Sequence, residues 1–362
     1  MPVGLILMEW SSRMGTQILT KYPKEINISN ETLMQIYASH EYSGDAGLVS
    51  LMAGSLNVTS YYTGSEQSLY LILILNLDED PDEYEDALIN VSRIILKNFE
   101  EGEYLDMIPS LFQRISAFPR FNDEQKLASV YQEEASRLII ERLRDEGVFT
   151  KSELKIWLKD IYKGLLVEVD GILMELIKRE IIKETSVKGI SSELIFMIND
   201  LIISRKPPIY LFRDPMDRGL PERYLESYKK EVKDFFVSYR PNKEDNLKLL
   251  DLILDPEIYQ VLKLLRRSIV TKNILEKLRK KGVDDLDGIL KKLWNNKLVH
   301  VFQDKRGIEY YGLISDIFIG RIYPKYILNK IIKQFNLKSK SKAILLEYLN
   351  VLENSYYEQK ES

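Results

Sequence analysis

Apolar and polar positions follow two distinct periods along the first part of the chain. Gly4–Trp10 is a mostly apolar, β-favouring run, Ser11–Gly15 is a cluster of turn formers, and Ile18, Thr20 and Tyr22 then alternate. That pattern predicts a hairpin with a five-residue connection, stopped by Pro23. Ser29 is placed to cap a helix with Glu31 in its first turn. Leu33, Ile36, Tyr37 and His40 share one face of that helix, and Gly44 and Gly47 end it. Strands are predicted over Leu48–Ala53, Leu56–Tyr62 and Leu69–Leu77, with Gly54 and Thr63–Gly64 supplying the turns. The last of these is apolar throughout, as a strand buried on both faces requires. Asp80–Pro81–Asp82–Glu83 has the residue order of a helix start, and Tyr84, Leu88, Val91, Ile94 and Ile95 continue it as a helical stripe.

The order strand–strand–helix–three strands–helix, with the Trp10…Gly15…Tyr22–Pro23 hairpin, resembles a longin domain and is similar to the related roadblock domains. The resemblance covers the N-terminal domain, residues 1–120. It implies a platform that binds a Ras-like small GTPase or pairs with another longin or roadblock protein, as a homo- or heterodimer. On that reading Trp10, Arg13, Gly15 and Tyr22 are the partner-binding residues. The expected layout is a five-stranded antiparallel sheet with helices on one side, which leaves an edge and a face to be covered.

The rest of the chain contains a duplication. Asp170–Gly171–Ile172–Leu173 returns as Asp287–Gly288–Ile289–Leu290. Upstream, Thr150–Lys151 with Leu154 answers Thr271–Lys272 with Leu275, and downstream Ile198–Arg205 answers Ile314–Arg321. In each copy a helix comes first, Leu127–Glu146 or Pro256–Ser268, and a second starts at the threonine as N-cap. A third runs through the repeated motif, and two strands close the unit, in the second copy Leu298–Phe302 and Ile308–Leu313. Three helices and a two-stranded wing resemble a winged helix. The fold class is therefore α+β: a longin-like sheet domain (1–120), then two mainly helical winged-helix domains (121–206 and 251–336) and a C-terminal helix (337–362). The linker 207–250 opens at Lys206–Pro207–Pro208 and carries a stripe, Tyr224, Tyr228, Phe235, Phe236 and Tyr239, that suits core packing. The C-terminal helix is expected to fold back through Ile344, Leu345, Tyr348 and Leu352.

Winged helices suggest DNA binding, and charge decides between the copies. The third helix of the first copy carries Glu168, Asp170, Glu175 and Glu180 against Lys178 and Arg179, a pattern that repels phosphate and suits protein contact. In the second copy Asp284, Asp285 and Asp287 are followed by Lys291, Lys292, Asn295, Asn296 and Lys297, with Lys305 and Arg306 in the wing. This copy supports an alternative reading, a transcription regulator that contacts nucleic acid. The net charge of −4 conceals an acidic front, −9 over residues 1–100, and a basic back, +8 over residues 207–362. No cysteine is present, no secretory signal is evident, and the longest apolar run, Leu69–Leu77, is far too short to span a bilayer. Together these point to a cytoplasmic protein.

Little in the chain suggests catalysis. There is no phosphate-binding glycine loop, so no nucleotide cofactor is expected, and the two histidines, His40 and His300, lie in different domains. Asp78, Asp80 and Asp82 mimic a calcium loop, but Glu83 stands where its glycine belongs, so no metal site is expected. One catalytic option remains, implied by the longin resemblance: Arg13, at the hairpin tip, acting as an arginine finger on a bound GTPase. The whole order resembles longin-containing regulators of small GTPases that carry winged helices after the longin domain, and longin and roadblock proteins of archaea. The expectation is a non-enzymatic scaffold.

Overall fold

The computed structural model describes residues 1–41, 46–65, 67–100, 102–162 and 169–361, so Gly44 and Glu168 lie outside the described residues. The chain forms two compact units, one of residues 1–139 and 150–179 and one of residues 140–149 and 180–362.

In the first unit, β1 (Gly4–Ser11), β2 (Gly15–Tyr22), α1 (Asn30–Glu41), β3 (Gly47–Ala53), β4 (Leu56–Tyr62) and β5 (Leu69–Leu75) build an antiparallel sheet of order β2-β1-β5-β4-β3. The two hairpin strands extend into the turn cluster and leave a shorter connection than the sequence suggests. Ser29 Oγ accepts the Thr32 N–H at 3.1 Å and caps α1 as expected. Asp80 also acts as a cap, accepting from Asp82 N–H at 3.1 Å, but it opens a 3-10 turn, Pro81–Tyr84, that leads into α2 (Glu85–Lys97). α3 (Tyr104–Ala117) accommodates Pro109 in its interior. The single helix expected over Leu127–Glu146 is two helices, α4 (Asp123–Gln132) and α5 (Glu134–Glu146). The break is at Glu133, whose carboxylate takes the N–H groups of Ala135 at 3.1 Å and Ser136 at 2.6 Å.

Helices cover both faces of this sheet, not one. Ile6, Met8, Ile72 and Ile74 form a core with Leu33 and Ile36 of α1. On the opposite face, Leu7, Leu69 and Leu71 line one small void with Ile95 and Leu96 of α2. The physical reason was visible in β5, whose seven residues are all buried: a strand apolar on both sides needs two covers. Among the described residues no further strand pairs with the edge strands of this sheet, β2 and β3.

The duplicated part shows the same element order twice. The first copy continues from α5 through β6 (Val148–Thr150), α6 (Lys151–Ile161), α7 (Val169–Lys178), β7 (Ile182–Thr185), β8 (Leu194–Met197) and β9 (Asp200–Lys206). Then come α8 (Ile209–Arg213), α9 (Leu225–Ser238) and α10 (Lys243–Leu254). The second copy runs through α11 (Pro256–Leu265), β10 (Val270–Thr271), α12 (Lys272–Leu275), α13 (Leu286–Asn295), β11 (Val299–Gln303), β12 (Glu309–Leu313) and β13 (Asp316–Ile322), and α14 (Tyr326–Leu337) and α15 (Lys342–Glu361) end the chain. The wing sheets have matching orders, β6-β8-β7 and β10-β12-β11, each with a third strand that the sequence did not announce. Thr150 forms a capping box with Glu153, whereas Thr271 makes no side-chain cap and its helix passes into a 3-10 turn, Glu276–Lys281.

The repeated sequence signature has a physical basis. The motif aspartate pairs with the lysine that follows the threonine: Asp170 with Lys151 and Asp287 with Lys272, each at 2.8 Å. Both pairs are partly exposed, so they orient helices more than they stabilise them. Gly288 lies close under the cap of α13. Asp285 accepts its N–H at 2.9 Å, and a Cβ there would lie 2.0 Å from the capping carboxylate.

In the second unit β9 and β13 pair with each other, antiparallel, so that Ile203 faces Ile319, its own equivalent in the duplication. The pairing sets up a local two-fold relation, and side chains repeat across it. Arg144 reaches Asp200 at 2.8 Å and the Leu201 carbonyl, while Arg266 reaches Asp316 at 2.7 Å and the Ile317 carbonyl. Tyr228 of α9 donates to the Leu313 carbonyl at 2.8 Å, and Tyr348 of α15 to the Met197 carbonyl at 3.0 Å. Each helix thus follows one copy in the chain and packs on the other. α15 folds back as expected, burying Leu345, Tyr348 and Leu352.

Arg205 of β9 is almost completely buried. It holds Asp245 with two bonds of 2.7 and 2.8 Å and also donates to the Asn296 carbonyl and Ser315 Oγ. Replacing Arg205 with Ala strands these acceptors and is expected to cost about 3 kcal/mol, and Lys, which lacks the planar fork, recovers only part. Tyr348→Phe removes one buried hydrogen bond and is expected to cost about 1 kcal/mol. Urea unfolding midpoints of the full chain check both; equal losses for the two residues would contradict the assignment.

Candidate partner-binding site

The hairpin residues singled out by sequence do not form one surface. Trp10 stacks on Tyr37 of α1, with ring centroids 3.9 Å apart. Tyr22 lies against Phe112 of α3 at 5.3 Å, on the other face of the sheet. The two sides are connected by a β-bulge: Leu7 pairs with Thr20 but Met8 pairs with Ile18, leaving Leu19 over. The bulge breaks the alternation of Ile18, Thr20 and Tyr22 and turns Ile18 toward the α1 core. Gly15 takes a left-handed conformation, φ +72°, that closes the turn. Arg13 is exposed at the tip, beside Met14, which is 73% exposed. Of the four residues, Arg13 and the turn at Gly15 are presented at the tip, while Trp10 and Tyr22 hold the hairpin in place.

His40 ends the α1 stripe as a buried side chain, with Nε2 2.6 Å from Ser60 Oγ. Burial lowers its pKa to about 4, so the ring stays neutral at physiological pH. The acidic run Asp78–Glu83 is used structurally: Glu79 accepts from the N-terminal amine at 2.9 Å and the Tyr84 hydroxyl at 2.6 Å. Among the described residues no cluster of three His, Asp or Glu side chains could hold a metal ion.

The two motif helices differ in what they present. On α7, Lys178 and Arg179, at and just beyond its C-terminal end, pair with Asp86 of α2 at 3.1 and 3.4 Å. Asp170 is paired with Lys151 and Lys155. Glu175, read from sequence as a surface acid, is buried, and burial together with the Asp86 carboxylate pushes its pKa up to about 7. Its position three residues after Ile172, on the apolar face, was the available signal. α7 is thus engaged with α2 inside the first unit. On α13, by contrast, Lys291, Lys292 and neighbouring Lys297 are exposed, as are Lys305 and Arg306 in the wing turn. Trp294 projects among them, 57% exposed. None of these five cations is in an ion pair among the described residues, and Asp287 is already matched by Lys272 and Arg279.

No protein-family model, curated protein or solved structure matches the chain. The N-terminal sheet followed by helices is compatible with a longin-like layout. No helix among the described residues is long and apolar enough to cross a membrane.

Glu175 yields a pH test. Its folded pKa lies above the ordinary 4.5, so the folded state holds the proton more tightly. Its contribution is fully present below about pH 4.5 and is lost as pH rises to about 7. Glu175→Gln is therefore expected to melt higher than the parent near pH 8, by about 2–4 °C per kcal/mol, with no difference near pH 4. Melting curves at the two pH values check this, and an equal shift at both would contradict it.

Proposed function

We propose that the chain is a non-enzymatic scaffold whose longin-like domain binds a Ras-like small GTPase or another longin or roadblock protein. The observation that carries this reading is the edge strand β2, which starts at a hairpin tip that exposes Arg13 and Met14, with β3 forming the opposite edge of the sheet. Since helices cover both sheet faces, edge and tip are where a partner strand or switch loop finds unpaired backbone and an uncovered apolar side chain. The winged helices serve as protein-interaction modules. The pairing of Lys178 and Arg179 with Asp86 within the chain supports that use, because an element that reads DNA in other settings is here committed to protein.

A second reading is favoured by one specific observation, the unpaired cations of the second copy: a regulator that contacts nucleic acid through α13 and its wing.

Binding of GTP-loaded small GTPases from the same source, measured by pull-down with the full chain, is expected to fall with Met14→Glu. Arg13→Ala separates two versions of the scaffold. An arginine finger loses stimulated hydrolysis by about 10³-fold or more with binding retained, whereas a platform shows no change. For the second reading, Lys291→Glu, Lys292→Glu and Lys297→Glu together should abolish binding to random duplex DNA and its steep salt dependence. Unaltered DNA binding in that variant would sink the nucleic-acid reading.

A further inference from the structure

The C-terminal helical hairpin carries a surface that neither reading uses. Between Asp316 and Glu347 the chain contains no aspartate or glutamate. Lys325, Lys333, Lys338, Lys340 and Lys342 fall in that interval, and none is in an ion pair among the described residues. Within the same interval α14 turns an apolar stripe outward. Ile332 is 57% exposed and Phe335 55%, with Leu328 on the same line one turn earlier. The spacing of Leu328, Ile332 and Phe335 places them on one face of α14, flanked by Lys325 and Lys333.

This outward face is rigidly presented. On its inner side α14 buries Ile327 and Ile331, and Lys330 and Gln334 donate to the Asp145 and Glu146 carbonyls at 2.9 and 2.7 Å. On α15, Leu346 and Leu349 are exposed as well. The internal duplication supplies a control. Aligning α15 with α9 on Tyr348 and Tyr228 sets Leu346 against Glu226 and Leu349 against Lys229. The packing that the two helices share is satisfied with polar residues outside, so apolar ones are not demanded by the fold.

We propose that α14 and the first turns of α15 dock on an anionic lipid surface, with Leu328, Ile332 and Phe335 seated at the headgroup boundary. The free lysines lie against the lipid charge. Charge complementarity selects this partner: a helix whose own segment carries lysines and no acid beside an apolar stripe suits the plane of a negatively charged interface. Lysine stems can lie along the apolar layer while their ammonium groups stay among the headgroups. Nucleic acid fits less well. The only arginine in the interval, Arg321, is paired with Glu180, and exposed aliphatic side chains gain nothing from a phosphodiester backbone.

The test uses the full chain in co-sedimentation with phosphatidylcholine vesicles, either neutral or containing about one-third phosphatidylserine. The parent is expected to sediment with the anionic vesicles only, and less as salt rises. Reversing Lys333, Lys338 and Lys340 to Glu should lower partitioning by at least a factor of about 100, since loss of each lysine near the surface alone costs about fivefold. Ile332→Ser with Phe335→Ser, both at exposed positions, should lower it by about tenfold or more without changing the melting temperature. Failure of the parent to bind anionic vesicles overturns the proposal, and so does undiminished binding of the serine variant. Lysine-dependent capture of random duplex DNA with no vesicle binding would reassign the surface to nucleic acid and overturn it as well.

Discussion

The second unit depends on one backbone pairing, that of β9 with β13. Neither strand belongs to the three-stranded sheet that precedes it, and either one alone would present a row of unmatched N–H and C=O groups. Paired, they satisfy each other. Because Ile203 meets its own equivalent Ile319, the pairing imposes a local two-fold relation on everything attached to it. The matching arginine–aspartate contacts of Arg144 and Arg266 and the crossed placement of Tyr228 and Tyr348 follow from that relation. Ion pairs in such partly buried places contribute little net stability, but each leaves a stranded charge if the pairing slips, and so they fix the register.

The same duplication shows how two copies of one motif diverge. The elements that the fold needs are held in common: the aspartate–lysine contact, the wing sheet and its strand order. What faces outward is not. α7 commits its basic end to Asp86, whereas α13 leaves Lys291, Lys292 and Lys297 exposed beside Trp294. α9 is polar where α15 is apolar. Interior contacts repeat between the two copies, and exposed positions differ.

In the first unit, covering the sheet on both faces narrows where a partner can be engaged. The faces are occupied by α1 on one side and by α2 and α3 on the other, which leaves the edges and the hairpin tip. The hairpin itself is anchored by Trp10 on one face and Tyr22 on the other. A tip fixed in this way presents Arg13 in a defined position, the condition that any precise contact with a partner requires.

The sequence by itself determined the elements whose cause is local. The apolar run of the first strand, the Ser29 cap and the all-apolar β5 were legible because each reflects preferences within a few residues, and the duplicated Thr–Lys and Asp-Gly-Ile-Leu segments because the chain repeats itself. Tertiary structure alone decided the rest. Leu19 is bulged because Ile18 has a core to enter, α4 and α5 part because the Glu133 carboxylate caps the second helix, and α3 carries Pro109 because packing holds it helical. Glu175 reads as a surface acid until the helix that carries it is engaged with α2. The pairing of β9 with β13 joins segments more than a hundred residues apart. Short-range pattern records what a residue prefers, and only the folded chain shows which neighbour, distant in sequence, satisfies that preference.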